Sequence, residues 1–445
     1  MTQITDMLDL LQQHKISDLR NILTTMEPAD IAILVEEIPE EYVPLVFRIL
    51  PKELAADCFV EMDPDVQESL IHAFSDKELR EVLDELFLDD TVDIIEEMPA
   101  NVVRRILKNT DPQTRQIINE VLKYPKDSAG SIMTIEYVDL RKNMTVEQAF
   151  KRIRAYAIDK ETIYTCYVTD DARHLIGIVT ARTLLLSDPN ALIGDIMETN
   201  IIYVDTMEDK ENVAKIFDKY DFLALPVVDR EGRLVGIITV DDAMDVMQEE
   251  NEEDFAKMAA MSPIEDSYFK TTVLHHAKNR ILWLLVLMVS ATLTGLIITN
   301  YQTAFAAYPL LIAFLPMLMD TGGNCGSQAS TMIIRGMAID DIGLGDFLKA
   351  WFKEIRIALI VGAALAAVNT ARVMIMYQDL PLALATSLAM FCTVCIAKSL
   401  GVIMPMLAKR LKLDPAIMAS PLITTIVDCC SVIIYFTVAT KILNI

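Results

Sequence analysis

The chain has 445 residues, 53% of them hydrophobic, and its 39 Lys and Arg against 64 Asp and Glu leave a net charge of −25. That length exceeds one ordinary domain, and the acidity excludes nucleic acid as a partner, since phosphates call for clustered Lys and Arg. From Arg280 onward there are 11 Lys and Arg and 8 Asp and Glu, so residues 1–279 hold 28 and 56: an acidic half at −28 precedes an apolar half at +3.

The opening MTQITDMLDLLQQHK has no basic stretch followed by an apolar one, so no cleaved signal peptide is expected. Turn signals then recur at Pro28, Pro39, Pro51, Pro64, Asp76, Asp89, Pro99 and Pro112, 10 to 13 residues apart. Apolar residues follow each at helical spacing, as in PADIAILVEEI. Pro suits the first turn of a helix, and a preceding Asp can cap it. Helices this short cannot stand alone, so residues 1–127 are expected to stack as an all-α superhelix. No catalytic constellation is found there.

A tandem repeat follows. GSIM at 130–133 returns as GDIM at 194–197, and LIGIVT at 175–180 returns as LVGIIT at 234–239. Each copy reads as helix, strand, turn, strand, helix. The pair resembles cystathionine-β-synthase (CBS) domains, an α/β module expected at 128–192 and 193–249. Gly236, Thr239 and Asp242 fit the Gly-h-x-Thr-x-x-Asp pattern by which some CBS domains bind adenine nucleotides; the first copy has Thr183 at the Asp position. The same residues could instead only cap a helix.

The second copy runs into DDAMDVMQEENEED (241–254), with eight carboxylates and no Lys or Arg. A solvated helix face is the plain reading. Against it, like charges three or four apart repel, and a hard divalent cation with oxygen ligands would relieve them.

Five apolar segments come next, at about 281–299, 309–334, 350–376, 382–408 and 415–440. Basic residues concentrate at the ends assigned to the cytoplasm, which places the large N-terminal half inside. The second segment, FLPMLMDTGGNCGSQASTMIIR, reads as a broken helix at Pro316, Gly322, Gly323 and Gly326. Asp320, Asn324, Ser327 and Gln328 bring polar groups to membrane depth, where they require burial in protein or a water-filled path. The fifth holds Asp428 in an otherwise uncharged run, with Thr424 on the same helical face and Thr425 beside it. An ionisable group there is a functional candidate by default; the structural alternative is a protonated Asp hydrogen-bonded in the bundle. Cys392 and Cys395 lack a second pair or a His and read as packing residues. Lys398, the one candidate partner for an anion, reads as snorkelling to the interface.

Taken together the chain resembles the MgtE family of bacterial magnesium channels and transporters, most specifically in GGNCGSQAS (322–330) and DPAIMASPLITTIVD (414–428). The resemblance implies a multidomain membrane protein, not an enzyme: helical N-domain, CBS pair, an acidic connecting helix in 250–279, and a five-helix pore domain at 280–445. It implies a homodimer in the plasma membrane that takes up Mg²⁺ through a pore bearing Asp428, Thr424, Thr425, Asn324, Gln328, Gly322 and Gly323. It further implies closure by cytosolic Mg²⁺ at Asp89, Asp93, Asp209, Glu211, Asp221, Asp242, Asp245, Glu250, Glu253 and Asp254, and raises ATP as a further ligand. A proton- or sodium-coupled divalent-cation exchanger and a nucleotide-gated osmolyte or anion transporter are the competing readings.

Overall fold

The computed structural model describes residues 2–156, 160–263, 268, 271–339, 341–418 and 420–444. The chain divides into two compact units, Met1–Gln248 and Glu249–Ile445.

The first unit opens with ten short helices from Thr2–Gln12 to Pro112–Val121. Seven of the eight turn signals mark helix starts closely, at Pro28, Lys52, Pro64, Asp76, Leu88, Ala100 and Pro112, whereas after Pro39 the helix begins only at Val43. Capping varies by site. Asp111 accepts the Gln113 and Thr114 N–H groups, and Ser75 forms a capping box with Glu78, whereas Asp63 caps nothing with its side chain. Phe47, Phe59 and Phe74 pack with ring centroids 5.3 to 6.4 Å apart inside one continuous core. That shared core supplies the stability that helices of 7 to 11 residues lack alone.

Two three-stranded sheets follow: β1 (Asp139–Arg141), β2 (Thr165–Thr169) and β3 (Leu175–Thr180), then β4 (Val204–Asp205), β5 (Ala224–Val228) and β6 (Leu234–Thr239). In each, the first strand pairs parallel and the third antiparallel to the central one, with an irregularity at the same place. The repeated motifs now have a physical reason. Each leader segment crosses the other copy's sheet: Thr134 bridges Ile237, and Glu198 bridges Ile178. A Cβ on Gly236 would lie 2.7 Å from the Thr134 carbonyl and 2.8 Å from Met133 Sδ; one on Gly177 would lie 2.5 Å from Met197 Sδ. Glycine in those strands admits the methionine of the other leader.

The connecting segment is not one helix over 250–279. The acidic helix begins inside the second CBS copy, as Val240–Met258, and the next long helix begins at Val273; residues 264–267, 269 and 270 lie outside the described residues.

Among the described residues of the second unit, four helical stretches are long and apolar enough to cross a membrane: Val273–Thr299, Leu344–Tyr377, Leu380–Arg410 and Pro415–Leu443. Leu315–Ala338 is also 24 residues long but more polar, and it packs against both Leu380–Arg410 and Ser420–Leu443. It is continuous, which corrects the expected break. Pro316 sits in its first turn, where a missing N–H costs nothing. Gly322, Gly323 and Gly326 are contact positions rather than breakers.

Candidate functional site

Two carboxylate sites emerge, one in each unit. In the first, the Leu88–Glu97 helix opens with Asp89 and Asp90 in its first turn, where unpaired N–H groups favour negative charge. Glu136, just after the first leader, accepts the Leu88 N–H and the Thr134 hydroxyl, each at 3.1 Å. Its carbonyl accepts the Glu161 N–H at 2.9 Å, which fixes Glu161 beside it. Carboxylate oxygens of Asp89, Glu136 and Glu161 all lie within 4.8 Å of one another, with Asp89 buried and the others half-buried. Glu161 Oε2 is buried and has no hydrogen-bond partner. From the second CBS copy, Asp242 adds its charge to the same group.

Electrostatics register the crowding. Burial and then the Asp242, Asp90 and Glu161 charges push Asp89 well above the ordinary carboxylate range. Burial and Asp242 raise Asp90 to about 7, and burial with Asp90, Asp241 and Asp242 raises Glu161 to about 8. Asp93 keeps surface open to solvent; the protein packed around it and the Asp242 charge raise it to about 8. Asp242 rises to about 6 through burial, although hydrogen bonds from Thr239 pull the other way. An all-oxygen group that repels itself, with one buried oxygen unpartnered, fits a hard divalent cation.

The expected sensor acids divide between this group and other places. Asp89 belongs to it, Asp242 bears on it and on Asp93 through its charge, and Asp245 acts on Asp242. Asp209 caps the Lys210–Tyr220 helix through the Glu211 N–H at 2.9 Å, Glu211 pairs with Lys215 at 2.7 Å, and Asp221 ends the same helix. Asp209 and Asp221 thus stand about 17 Å apart along the axis and cannot share one ion within a subunit. Glu250, Glu253 and Asp254 belong to the second unit, where Glu253 is paired with Lys257 at 2.6 Å. Sequence reasoning missed Asp90, Glu136 and Glu161; only the Asp89–Asp90 doublet in LFLDDTVD offered a signal.

The nucleotide-pattern residues engage one another. Asp242 Oδ2 accepts the Thr239 hydroxyl at 2.5 Å and its N–H at 3.2 Å, which is the capping reading of those residues. Gly236 serves the crossing described above.

In the second unit, Asp428 lies eight residues into the Ser420–Leu443 helix, about 12 Å along it. That helix starts later than expected, after a 3-10 turn at Pro415–Met418. Asp428 Oδ1 is buried without a hydrogen-bond partner. Asp320 of the adjacent helix is the charge that bears on it. Asp320, Asn324 and Gln328 follow at i, i+4 and i+8 and form one exposed polar stripe on Leu315–Ala338. Gly322 and Gly323 point the other way and are buried: added Cβ atoms would lie 2.7 Å from Thr393 Cγ2 and 2.5 Å from Thr424 Cγ2. They bring the two helices together and do not themselves present polar groups. Thr425 donates to the Pro421 carbonyl at 2.9 Å.

Lys398 does not snorkel. It is 6% exposed and pairs with Glu354, 8% exposed, at 3.3 Å. The partner lies 44 positions earlier, on Phe347–Tyr377.

Comparisons with known proteins meet this geometry. Residues 315–438 match the family described as divalent cation transporter (MgtE), residues 26–127 the MgtE intracellular N domain, and residues 129–188 and 193–249 the CBS domain. Over 441 residues the chain is 35% identical to the magnesium transporter MgtE of Thermus thermophilus, covering 98% of this chain and 97% of the relative. The chain belongs to the MgtE family. The magnesium transporter MgtE of Bacillus subtilis is 31% identical over 436 residues, 98% of this chain and 96% of its own. A crystal structure of the cytosolic domain of the Mg²⁺ channel MgtE in complex with ATP superposes with a TM-score of 0.52 at 38% identity, covering 55% of this chain and 99% of that one. A soluble part of a magnesium transporter gives 0.52 at 29% identity, covering 56% and 98%.

Proposed function

We propose that this MgtE-family chain conducts Mg²⁺ into the cell as a homodimer with five spans per subunit and its N-terminal half in the cytosol. The observation that carries the reading is the polar stripe Asp320, Asn324 and Gln328 lying beside the Asp428 carboxylate, whose Oδ1 is buried without a hydrogen-bond partner. Such a stripe cannot face hydrocarbon; facing a second copy across a water-filled axis satisfies it. Mg²⁺ dehydrates reluctantly and keeps several waters, so carboxylates and amides spaced around a wet path suit it better than a tight cage. The membrane potential, negative inside, drives a divalent ion inward by about 4.6 kcal/mol per 100 mV, so no coupled ion is needed.

The acidic group around Asp89, Glu136, Glu161 and Asp242 is the sensor. Bound Mg²⁺ relieves its repulsion and holds N-domain and CBS pair together; loss of the ion lets them part. Ion binding shifts the closed–open balance only through its different affinity for the two states, and a group assembled from separate segments supplies that difference. Adenine-nucleotide binding by the CBS pair is carried into the proposal from the relative crystallised with ATP. An anion carrier is disfavoured because Lys398 is paired with Glu354.

The test is Mg²⁺ influx into liposomes holding the full chain, with cytoplasmic-side Mg²⁺ varied, with and without a protonophore. The proposal expects influx that closes as cytoplasmic-side Mg²⁺ rises and ignores the protonophore. Influx that collapses with the proton gradient would instead establish the exchanger.

A further inference from the structure

The acidic helix Val240–Met258 carries a single basic residue, Lys257, in its last turn. Its ammonium lies 2.6 Å from Glu253 on the same helix and 2.7 Å from Asp414 Oδ2. Both partners belong to the second unit. Asp414 opens the turn that precedes the Asp428 helix: its Oδ1 accepts the Ala416 N–H at 2.8 Å, and Pro415–Met418 then winds as a 3-10 turn. The Met418 carbonyl in turn accepts the Ser330 hydroxyl of Leu315–Ala338 at 2.9 Å. A run of polar contacts therefore leads from the end of the acidic helix to both helices that carry the conduction residues.

We propose that Lys257 is a positioning residue that ties the acidic helix to the Asp414 turn in the closed channel, so that opening requires this pair to break. The proposal rests on closure by cytosolic Mg²⁺ as stated above. Lysine is a permanent cation at cellular pH, so the tie itself is indifferent to Mg²⁺. The sensor decides whether the helix end withdraws, and the tie adds weight to the closed side of that balance. Side chains only 22% and 29% exposed are screened less than a fully solvated pair. Asp414 suits the role because its two oxygens have separate tasks, one shaping the turn and one holding the lysine.

The test uses the full chain in liposomes and reads the cytoplasmic-side Mg²⁺ that halves influx. Lys257→Met and Asp414→Asn are each expected to raise that concentration about fivefold, the scale of a half-buried pair. The double variant is expected to go no further than either single one, because both remove the same contact. Asn at 414 retains an oxygen for the Ala416 N–H, so the turn survives. Lys257→Arg should restore the wild-type midpoint, and influx without cytoplasmic-side Mg²⁺ should be unchanged in Lys257→Met. Unchanged midpoints in a gated protein, or additive effects in the double variant, would overturn the tie alone. A wild type that Mg²⁺ does not close would overturn the gating reading and the tie with it.

Discussion

Close packing of Leu315–Ala338 can be tested with two glycines that differ only in what surrounds them. A Cβ on Gly401 would lie 2.6 Å from the Gly326 carbonyl oxygen, 2.6 Å from Ala329 Cβ and 3.0 Å from the Ser330 nitrogen. Two of those three atoms are backbone, so no side chain can swing aside; Leu380–Arg410 and Leu315–Ala338 must separate. Overpacking of this kind costs about 1–3 kcal/mol, and the upper part applies where backbone blocks relief. Replacing a helical glycine by alanine returns about 1 kcal/mol. The net for Gly401→Ala is then a loss of about 1–2 kcal/mol, or about 2–8 °C in a unit of this size. Gly295 has nothing within 4 Å of its added Cβ, so Gly295→Ala keeps only the helix gain and should melt slightly above wild type. Thermal unfolding of the detergent-solubilised full chain reads both. Because the displaced helix carries Asp320, Asn324 and Gln328, influx through Gly401→Ala should also fall. A Gly401→Ala protein that melts at or above wild type would refute the close-packed interface.

Three further outcomes follow from the same geometry. Asp90 at about 7 and Asp93 and Glu161 at about 8 hold protons in the folded state that the unfolded chain has released, so without divalent ions stability should fall as pH rises from about 4 to about 8 and then level off; added Mg²⁺ should recover it, and a melting temperature that rises with pH in chelator would contradict this. Glu161→Gln needs no proton taken up at this site on folding at neutral pH and cannot ligate as a carboxylate, so the Mg²⁺-free protein should melt higher and gain less from Mg²⁺ than wild type, read by the same melts. Glu354→Gln strands the buried Lys398 ammonium and should cost about 3–5 kcal/mol, whereas Lys398→Met with Glu354→Gln should be nearly neutral; equal damage from both would show that the pair does more than compensate charge.

Local signals in the sequence carried the architecture. Turn residues at intervals of 10 to 13 marked the helical stack, and GSIM and GDIM with their glycine strands marked the repeat, because each feature is complete within a dozen residues. Asp428 stood out for the same reason: one charge in an apolar run needs no partner to be noticed. Glu136 and Glu161 did not stand out, since what makes them a site is Asp89 and Asp242, dozens of positions away and brought near only by folding. Lys398 was misread on the same account, because Glu354 lies on another helix and its facing direction is not written in spacing. Leu315–Ala338 was misread differently. Glycines that break a helix in water are, between packed helices, the positions that let backbones approach.

Asp428→Asn in liposomes tests the central claim most directly, because Asn keeps the side chain's size and removes only its charge. With cytoplasmic-side Mg²⁺ absent, the wild type should conduct Mg²⁺ and the variant, folded to the same melting temperature, should lose nearly all influx. Undiminished influx through Asp428→Asn would contradict the account and make that carboxylate a structural residue of the bundle.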